Sequence, residues 1–512
     1  MQRLRVLRAC FSILLPLFPG AMKRAERGRL IACVVVSAIF IAGWAFAASG
    51  SNLRKIVVFV EGTSWQVQQQ VIGRSGSRVL NVLSLINGVA IRVPEPGTAQ
   101  ALSTLQADPT VEGVYDDPTI AAQGAGAISA DGLGNTIVIY IQPALAPTQE
   151  TYGWGLDNIG IPDVHEGKPG LDGSGVKVAF LDTGIDINHP DLKQNIIGGV
   201  NARAGADPSN YQDDNGHGTH IAGIIAARLN GQGLIGAAPH IKIYAIKVLD
   251  QNGAGQVSDL ISGLGWVNAN KINLVNMSLG FPHEWGCPAD NPTCPHPYPA
   301  LEKAIKRLYD AGVIMVVSAG NRNPRPVPPI TQGAGGDGAG GDASCSTSQS
   351  LPPDEKTAQG AGGDGAGGDG SSFCYQTTAV KVPAFYPWVI AVGATDEYDQ
   401  VTDYSRSGPE LTDHGVVAPG GARHGAWLLS TNKGGGYGLG IGTSQAAAHV
   451  TGTVALALQL QRNLSFEDVL ALLRGTSKDV LSFHHDPPTS EWEGAGLIDA
   501  EGFLDAVKTL HK

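Results

Sequence analysis

Residues 176–186 read VKVAFLDTGID, an apolar run that ends on Asp182 and breaks at once into a Thr183-Gly184 turn. A run of this length, fenced by glycines on both sides, predicts a buried strand. Outward from it the same alternation repeats. THIAGIIAARLN (219–230) has helical spacing, IKIYAIKVLD (241–250) reads as a strand, VSDLISGLGWVNAN (257–270) as a helix and INLVNMSLG (272–280) as a strand. LEKAIKRLYDAG (301–312) is a helix, VIMVVSAGN (313–321) and VIAVGATD (389–396) are strands, and SQAAAHVTGTVALALQLQ (444–461) is a long helix. Short apolar strands alternating with helices predict an α/β domain whose mainly parallel sheet is covered on both faces. In such sheets ligands sit at the carboxyl ends of strands, where Asp182 falls.

Composition narrows the class. The 512 residues carry a formal charge of −11 with 43% apolar and 16% charged residues, too apolar for a disordered polyelectrolyte and too acidic for a nucleic-acid binder. Glycine is in excess at 69 residues. The basic groups are concentrated at the front: residues 1–50 hold Arg3, Arg5, Arg8, Lys23, Arg24, Arg27 and Arg29 against the single acid Glu26. There MKRAERGR precedes the uncharged run Leu30–Ala48, which closes on the small-x-small triplet Ala45-Phe46-Ala47. This is the pattern of a cleaved secretory signal within residues 1–48, with Met22 as the true start; the alternative is a membrane anchor formed by 30–48. Beyond the head remain Cys287, Cys294, Cys345 and Cys374. Four cysteines allow three pairings. Cys287–Cys294 with Cys345–Cys374 is the expected one in an oxidising compartment, against four free thiols.

Residues 51–120 read as a separate small α/β unit: strands RKIVVFV (54–60), NGVAIRV (87–93) and VEGVYDD (111–117), with a helix at TAQALSTLQAD (98–108). A Gly/Ala/Pro-rich linker follows at 121–150, and the main domain spans 151–512. A low-complexity insert at 322–378 interrupts it, with QGAGGDGAGGD following Thr331 and again following Ala358. It reads as a duplicated flexible loop; the period and the missing apolar packing residue speak against a calcium coil.

Three residues stand where peptide hydrolysis needs them. Asp182 ends a strand, His217 lies at a loop-to-helix boundary in NGHGTHIAG (215–223), and Ser444 lies at a helix start in GIGTSQAAAHVTG (440–452). Such chemistry takes a nucleophile, a base to accept its proton and a carboxylate to fix the base in one tautomer. A helix N-terminus adds N–H groups for a developing oxyanion, and Asn321, at the end of VIMVVSAGN, is the side-chain donor to complete that hole. Singly each residue has a bland reading as a cap or turn; all four, each on its expected element, favour the catalytic reading. There is no second DTG for an aspartic protease and no HExxH for a zinc site at His217 and His220.

The sequence resembles the subtilisin-family (subtilase) serine endopeptidases. The resemblance rests on VAFLDTGIDINHPDL (178–192), DDNGHGTHIAGIIAA (213–227), VNMSLG (275–280), VVSAGN (316–321), VPAFYPWVIAVGATD (382–396), GTSQAAAHVTG (442–452) and GAGLIDAEGFLDAV (494–507). It implies a subtilisin-like sheet of seven strands, with Ser444 as nucleophile, His217 as base and Asp182 as its orienter. Asn321 would form the oxyanion hole with the Ser444 N–H. Ser278, Leu279 and Gly280 would pair with substrate backbone, and Asp191 and Asn230 would contribute to a structural calcium site. No cofactor is implied for the chemistry. Residues 51–120 resemble the family's inhibitory propeptide, a ferredoxin-like domain that folds and blocks the enzyme. The expectation is a secreted, monomeric endopeptidase acting on protein or peptide substrates, either degradative or a narrow processing enzyme. Two departures matter. Gln445 stands where the family carries methionine beside the nucleophile, which predicts resistance to peroxide, and Ala448 replaces a proline. His449 is expected to be structural.

Overall fold

The computed structural model describes residues 53–122, 141–281, 298–321, 380–423, 425–480 and 490–510. The run VKVAFLD forms the strand Lys177–Asp182, which lies inside a seven-stranded sheet. The order across that sheet is Gly415–Pro419, Ile390–Thr395, Ile314–Ser318, Leu274–Met277, Lys177–Asp182, Lys242–Lys247, Ile196–Asn201, and every pairing is parallel. Because side chains alternate along a strand, one strand serves two cores. Val178 and Phe180 pack with the helices His217–Ala226 and Thr443–Leu460, whereas Ala179 and Leu181 pack with Val257–Ala269 and Pro299–Asp310. Both faces are therefore buried, as the continuous apolar runs required. The 18-residue helix Thr443–Leu460 is itself buried almost all round, so it has little amphipathic stripe.

Two edge strands, Ile196–Asn201 and Gly415–Pro419, were not expected. IIGGVN is broken by glycines, yet at Gly199 the pairing demands one: a Cβ would come within 2.2 Å of the Ala245 carbonyl oxygen. GVVAP is only five residues long and ends in proline.

The leader unit forms a four-stranded antiparallel sheet in the order Arg78–Leu83, Gly88–Arg92, Arg54–Phe59, Val111–Asp116. With helices Trp65–Arg74 and Thr98–Gln106 its element order is βαββαβ, the ferredoxin-like arrangement. The helix Trp65–Arg74 and the strand Arg78–Leu83 escaped the sequence reading. The helix carries four glutamines in WQVQQQVIGR and buries only Gln68, Val71 and Ile72, and the strand buries only Leu83. One face of the sheet packs on its own helices through Val57, Phe59, Val89 and Ile91. The other face turns Ile56, Val58 and Ala90 onto the main domain, joining the core of helices Val257–Ala269 and Pro299–Asp310. The signal region, the four cysteines and the 322–378 insert lie outside the described residues. Among those described, no helix is long and apolar enough to cross a membrane.

Candidate active site

Asp182 sits at the carboxyl end of its strand with its side chain 1% exposed, and it accepts the Thr183 N–H at 2.7 Å. His217 opens the helix His217–Ala226 and places Nδ1 2.8 and 2.9 Å from the two Asp182 oxygens. An ionised carboxylate can only accept, so Nδ1 carries the proton and Nε2 keeps the lone pair. That Nε2 is buried and takes no hydrogen bond among the described residues. The glycine in His217-Gly218 is required by close approach: a Cβ at Gly218 would meet the Gly184 carbonyl at 2.0 Å.

Ser444 lies in the first turn of Thr443–Leu460, preceded by Gly442 at φ 148°. Its hydroxyl donates to the Ser278 carbonyl at 3.3 Å, while the Ser278 hydroxyl donates to the Ser444 carbonyl at 3.0 Å. Asn276 donates to the Ser278 hydroxyl and accepts from Thr451, so the segment before Leu279 is locked to the nucleophile helix. Asn321 is fixed by its oxygen, which accepts from the Thr443 N–H and hydroxyl, both at 3.0 Å. A backbone N–H can only donate, so the amide oxygen faces Thr443 and Nδ2 is the donor end. The Asn321 amide is thereby tied to the first turn of the helix that carries Ser444.

The residue that ties these parts together was missed in the sequence. Asp213, 4% exposed, accepts five hydrogen bonds. They come from the Thr183 hydroxyl at 2.9 Å, the Asn215 and Gly216 N–H groups at 2.9 Å each, and the Thr219 N–H and hydroxyl at 3.0 and 2.5 Å. It joins the Asp182 turn to the start of the His217 helix. Its signal was its place two residues before the NGHG turn. Lys247 supports the same turn from beneath: 2% exposed, its Nζ donates to the Thr183 carbonyl at 2.5 Å and to Asp214 at 2.6 Å.

Two further histidines are structural in their contacts. Burial, with His217 nearby, pushes His220 down to about 3, and its Nε2 bonds the Gly438 carbonyl at 3.1 Å. Burial holds His449 at about 4, with Nδ1 on the Gln445 carbonyl at 2.8 Å. Gln445, 1% exposed, fills the gap between them and approaches His220 Nδ1 at 3.4 Å.

Leu279 and Gly280 do pair with an extended chain, and it is the protein's own. Thr119–Ala122 lies between two strands, antiparallel to both, with Ala122 opposite Leu279 and Ala121 opposite Gly280. On its other side Thr119, Ile120 and Ala121 face Gln256, Gly255 and Ala254. The strand runs toward Ser278 and Ser444 at its carboxyl end. Just upstream, Asp117 is fully buried at the N-terminus of the helix Val257–Ala269, where its carboxylate complements the helix dipole. It accepts the Ser258 N–H at 2.9 Å, the Ser258 hydroxyl at 2.8 Å and Arg54 Nε at 2.9 Å.

Asp191 and Asn230 meet away from this centre, with Asn230 Nδ2 3.3 Å from Asp191 Oδ1. Asp191 Oδ2 also accepts from the Leu234 N–H and the Tyr437 hydroxyl. Glu150, absent from the sequence reading, joins them: its Oε1 accepts the N–H groups of Asn230 and Gly231 at 2.6 and 2.8 Å. Glu150 and Asp191, from separate segments, thus each meet the 228–236 loop through hydrogen bonds, and carboxylate and amide oxygens are the hard donors that suit calcium. Among the described residues no cluster of three His, Cys, Asp or Glu side chains is poised for a metal.

Comparison with known proteins shows the family. Residues 173–496 match the model of a family described as the Subtilase family. The chain is 30% identical over 459 residues to subtilisin E of Bacillus subtilis (strain 168), covering 89% of this chain and 91% of that protein. It is 33% identical over 348 residues to subtilisin Savinase of Lederbergia lenta and 32% identical over 348 residues to a subtilisin of Bacillus pumilus. Each of these alignments spans 68% of this chain and 97% of the relative.

Proposed function

The chain belongs to the subtilase family and is a serine endopeptidase; on that premise we propose that Asp182, His217, Ser444 and Asn321 do the chemistry and that residues 51–120 restrain it. The Ser444 oxygen attacks the substrate carbonyl carbon as its proton passes to His217 Nε2. Asp182 holds the imidazole in the tautomer that can accept and stabilises the cation that results. The oxyanion is met by Asn321 Nδ2 and the Ser444 N–H. Collapse returns the proton from His217 to the leaving amine, and water repeats the sequence on the acyl-enzyme. The observation that carries the reading is His217 itself, tied through Nδ1 to both Asp182 oxygens with a buried Nε2 left to accept.

The strand Thr119–Ala122 supports the second half of the reading. It occupies the edge where a substrate's acyl side would pair, so the precursor is inhibited by its own leader until the chain is cut beyond Ala122. The cysteine pairings, the signal at 1–48 and export from the cell remain parts of the same proposal, as does the monomeric state. A calcium ion held by Glu150, Asp191 and Asn230 would tie the 228–236 loop electrostatically to the segments that carry Glu150 and Asp191.

A fluorophosphonate probe tests the assignment. It should modify Ser444, as read by peptide mass spectrometry, and should fail on Ser444→Ala and on the untreated precursor. A matured protein that hydrolyses peptides while its label lies elsewhere would refute it.

A further inference from the structure

A second segment of the linker also lies against the active site. Gln142–Ala144 forms a strand antiparallel to Gly436–Gly440, with Gln142 opposite Leu439, Pro143 opposite Gly438 and Ala144 opposite Tyr437. Gly436–Gly440 is the segment that leads directly into Thr443 and Ser444, and its hairpin partner Leu428–Asn432 is bonded to the His217 helix through Ser430 and Thr431. The edge therefore bounds the site on the side away from Leu279–Gly280.

The chain direction is that of a substrate. Thr119–Ala122 approaches the nucleophile along one edge, and Gln142–Ala144 departs along the other, with its amino end nearest Ser444 in register. The contact at that end is close. A Cβ on Gly438 would lie 2.4 Å from Ile141 Cγ2, and one on Gly440 would lie 3.0 Å from Ile141 Cδ1 and 2.9 Å from Gln445 Nε2. The Ile141 side chain thus fills the space left by two missing side chains, beside the residue that follows the nucleophile.

We propose that Ile141–Ala144 is a second autoinhibitory strand, a strap over the leaving-group side of the cleft. It stays on the enzyme after the leader domain is cut away. This rests on the peptidase reading above, and extends it to the regulation of the same cleft. The strap lies C-terminal to Thr119–Ala122, so a cut beyond Ala122 leaves it attached as part of the new amino-terminal arm. It is short, and Pro143 at its centre contributes no N–H to the ladder, so it competes with substrate without sealing the site. Peptides that extend past the scissile bond must displace it; small chromogenic esters or anilides need not.

The test uses the full chain, matured by itself, with its amino terminus fixed by intact mass. Two substrates are compared: a peptide p-nitroanilide with nothing beyond the leaving group, and a quenched fluorescent peptide with four residues beyond it. Ile141→Asp, and separately a Gly/Ser linker replacing residues 141–144, should lower KM for the extended peptide about tenfold and leave the anilide kinetics within twofold. Three results would overturn the strap. One is an amino terminus that begins beyond residue 144. Another is an unchanged KM for the extended peptide in both variants while the anilide is cleaved normally. The last is equal loss on both substrates with a lowered melting temperature, which would make the strand a structural element. A wild-type protein inert to both substrates and to the phosphonate probe would instead overturn the peptidase assignment of Ser444.

Discussion

Replacing Asp213 by asparagine asks whether one buried carboxylate, outside the reacting groups, sets their relative position. The carboxylate accepts three hydrogen bonds on Oδ1 and two on Oδ2. Asparagine keeps one oxygen, so at least two donors then face an NH2 group. Each bond to a charged acceptor is worth about 1.5–3 kcal/mol, and an orphaned buried donor costs about 1–3 kcal/mol. These overlap, and relaxation recovers part, so the expected loss is about 2–4 kcal/mol. Stability is best read as the unfolding rate in denaturant, in a Ser444→Ala background that removes self-digestion. A rate increase of about 30- to 1000-fold corresponds to that loss if it falls wholly on unfolding. In the active background kcat on an anilide should fall on the order of 100-fold with KM little changed, because Thr183 and Thr219 no longer pin the Asp182 turn to the His217 helix. An Asp213→Asn protein that unfolds within twofold of the parent rate and keeps its kcat would refute the reasoning.

The leader should bind in a pH-dependent way. Burial raises Asp259, beside Asp117 at the covered interface, to about 6. If uncovering returns it toward the ordinary carboxylate range, the complex holds a proton that the separated parts release. Inhibition by the leader added in trans should then weaken about tenfold or more as pH rises through about 4 to 6, and Asp259→Asn should flatten the profile. Asp117→Ala, which removes the bonds to Ser258 and Arg54, should weaken inhibition by at least tenfold, read from Ki at fixed pH. Chelation with EDTA should lower the melting temperature of the matured enzyme, and Glu150→Gln should lessen that response; a curve indifferent to calcium refutes the loop site. Peroxide should leave activity largely intact, since Met277 and Met315 are fully buried and Gln445 carries no sulfur. Gln445→Met should make the enzyme peroxide-sensitive, and rapid loss in the parent would count against the assignment.

The central strands and helices were legible because burial on both faces forces unbroken apolar runs, as in VAFL and IMVV, while the helices between them carry their own spacing. Ile196–Asn201 was not legible because an edge strand needs little apolar content and Gly199 is dictated by the Ala245 carbonyl, a neighbour distant in sequence. In the site, Asp182, His217, Ser444 and Asn321 could be named because each carries a local signature of turn and flank. Asp213 was legible only in part, because Asn215, Gly216 and Thr219 are local donors while Thr183 is brought to it by the fold; Glu150 was not, because Asn230 and Gly231 reach it only through the fold. Asp117 belongs with Glu150: its carboxylate caps a helix that begins 140 residues later.

The burial of Thr443–Leu460 on nearly every side has a consequence for the history of each molecule. Such a helix has no solvent-facing stripe on which to form early, and Ser444 rides on its first turn, while its two partners are supplied by chain more than 200 residues away. Contacts of that span are among the last to close. A half-made copy therefore has no blade. On the proposed chemistry the ability to cleave arrives only when the first and last thirds of the domain have met.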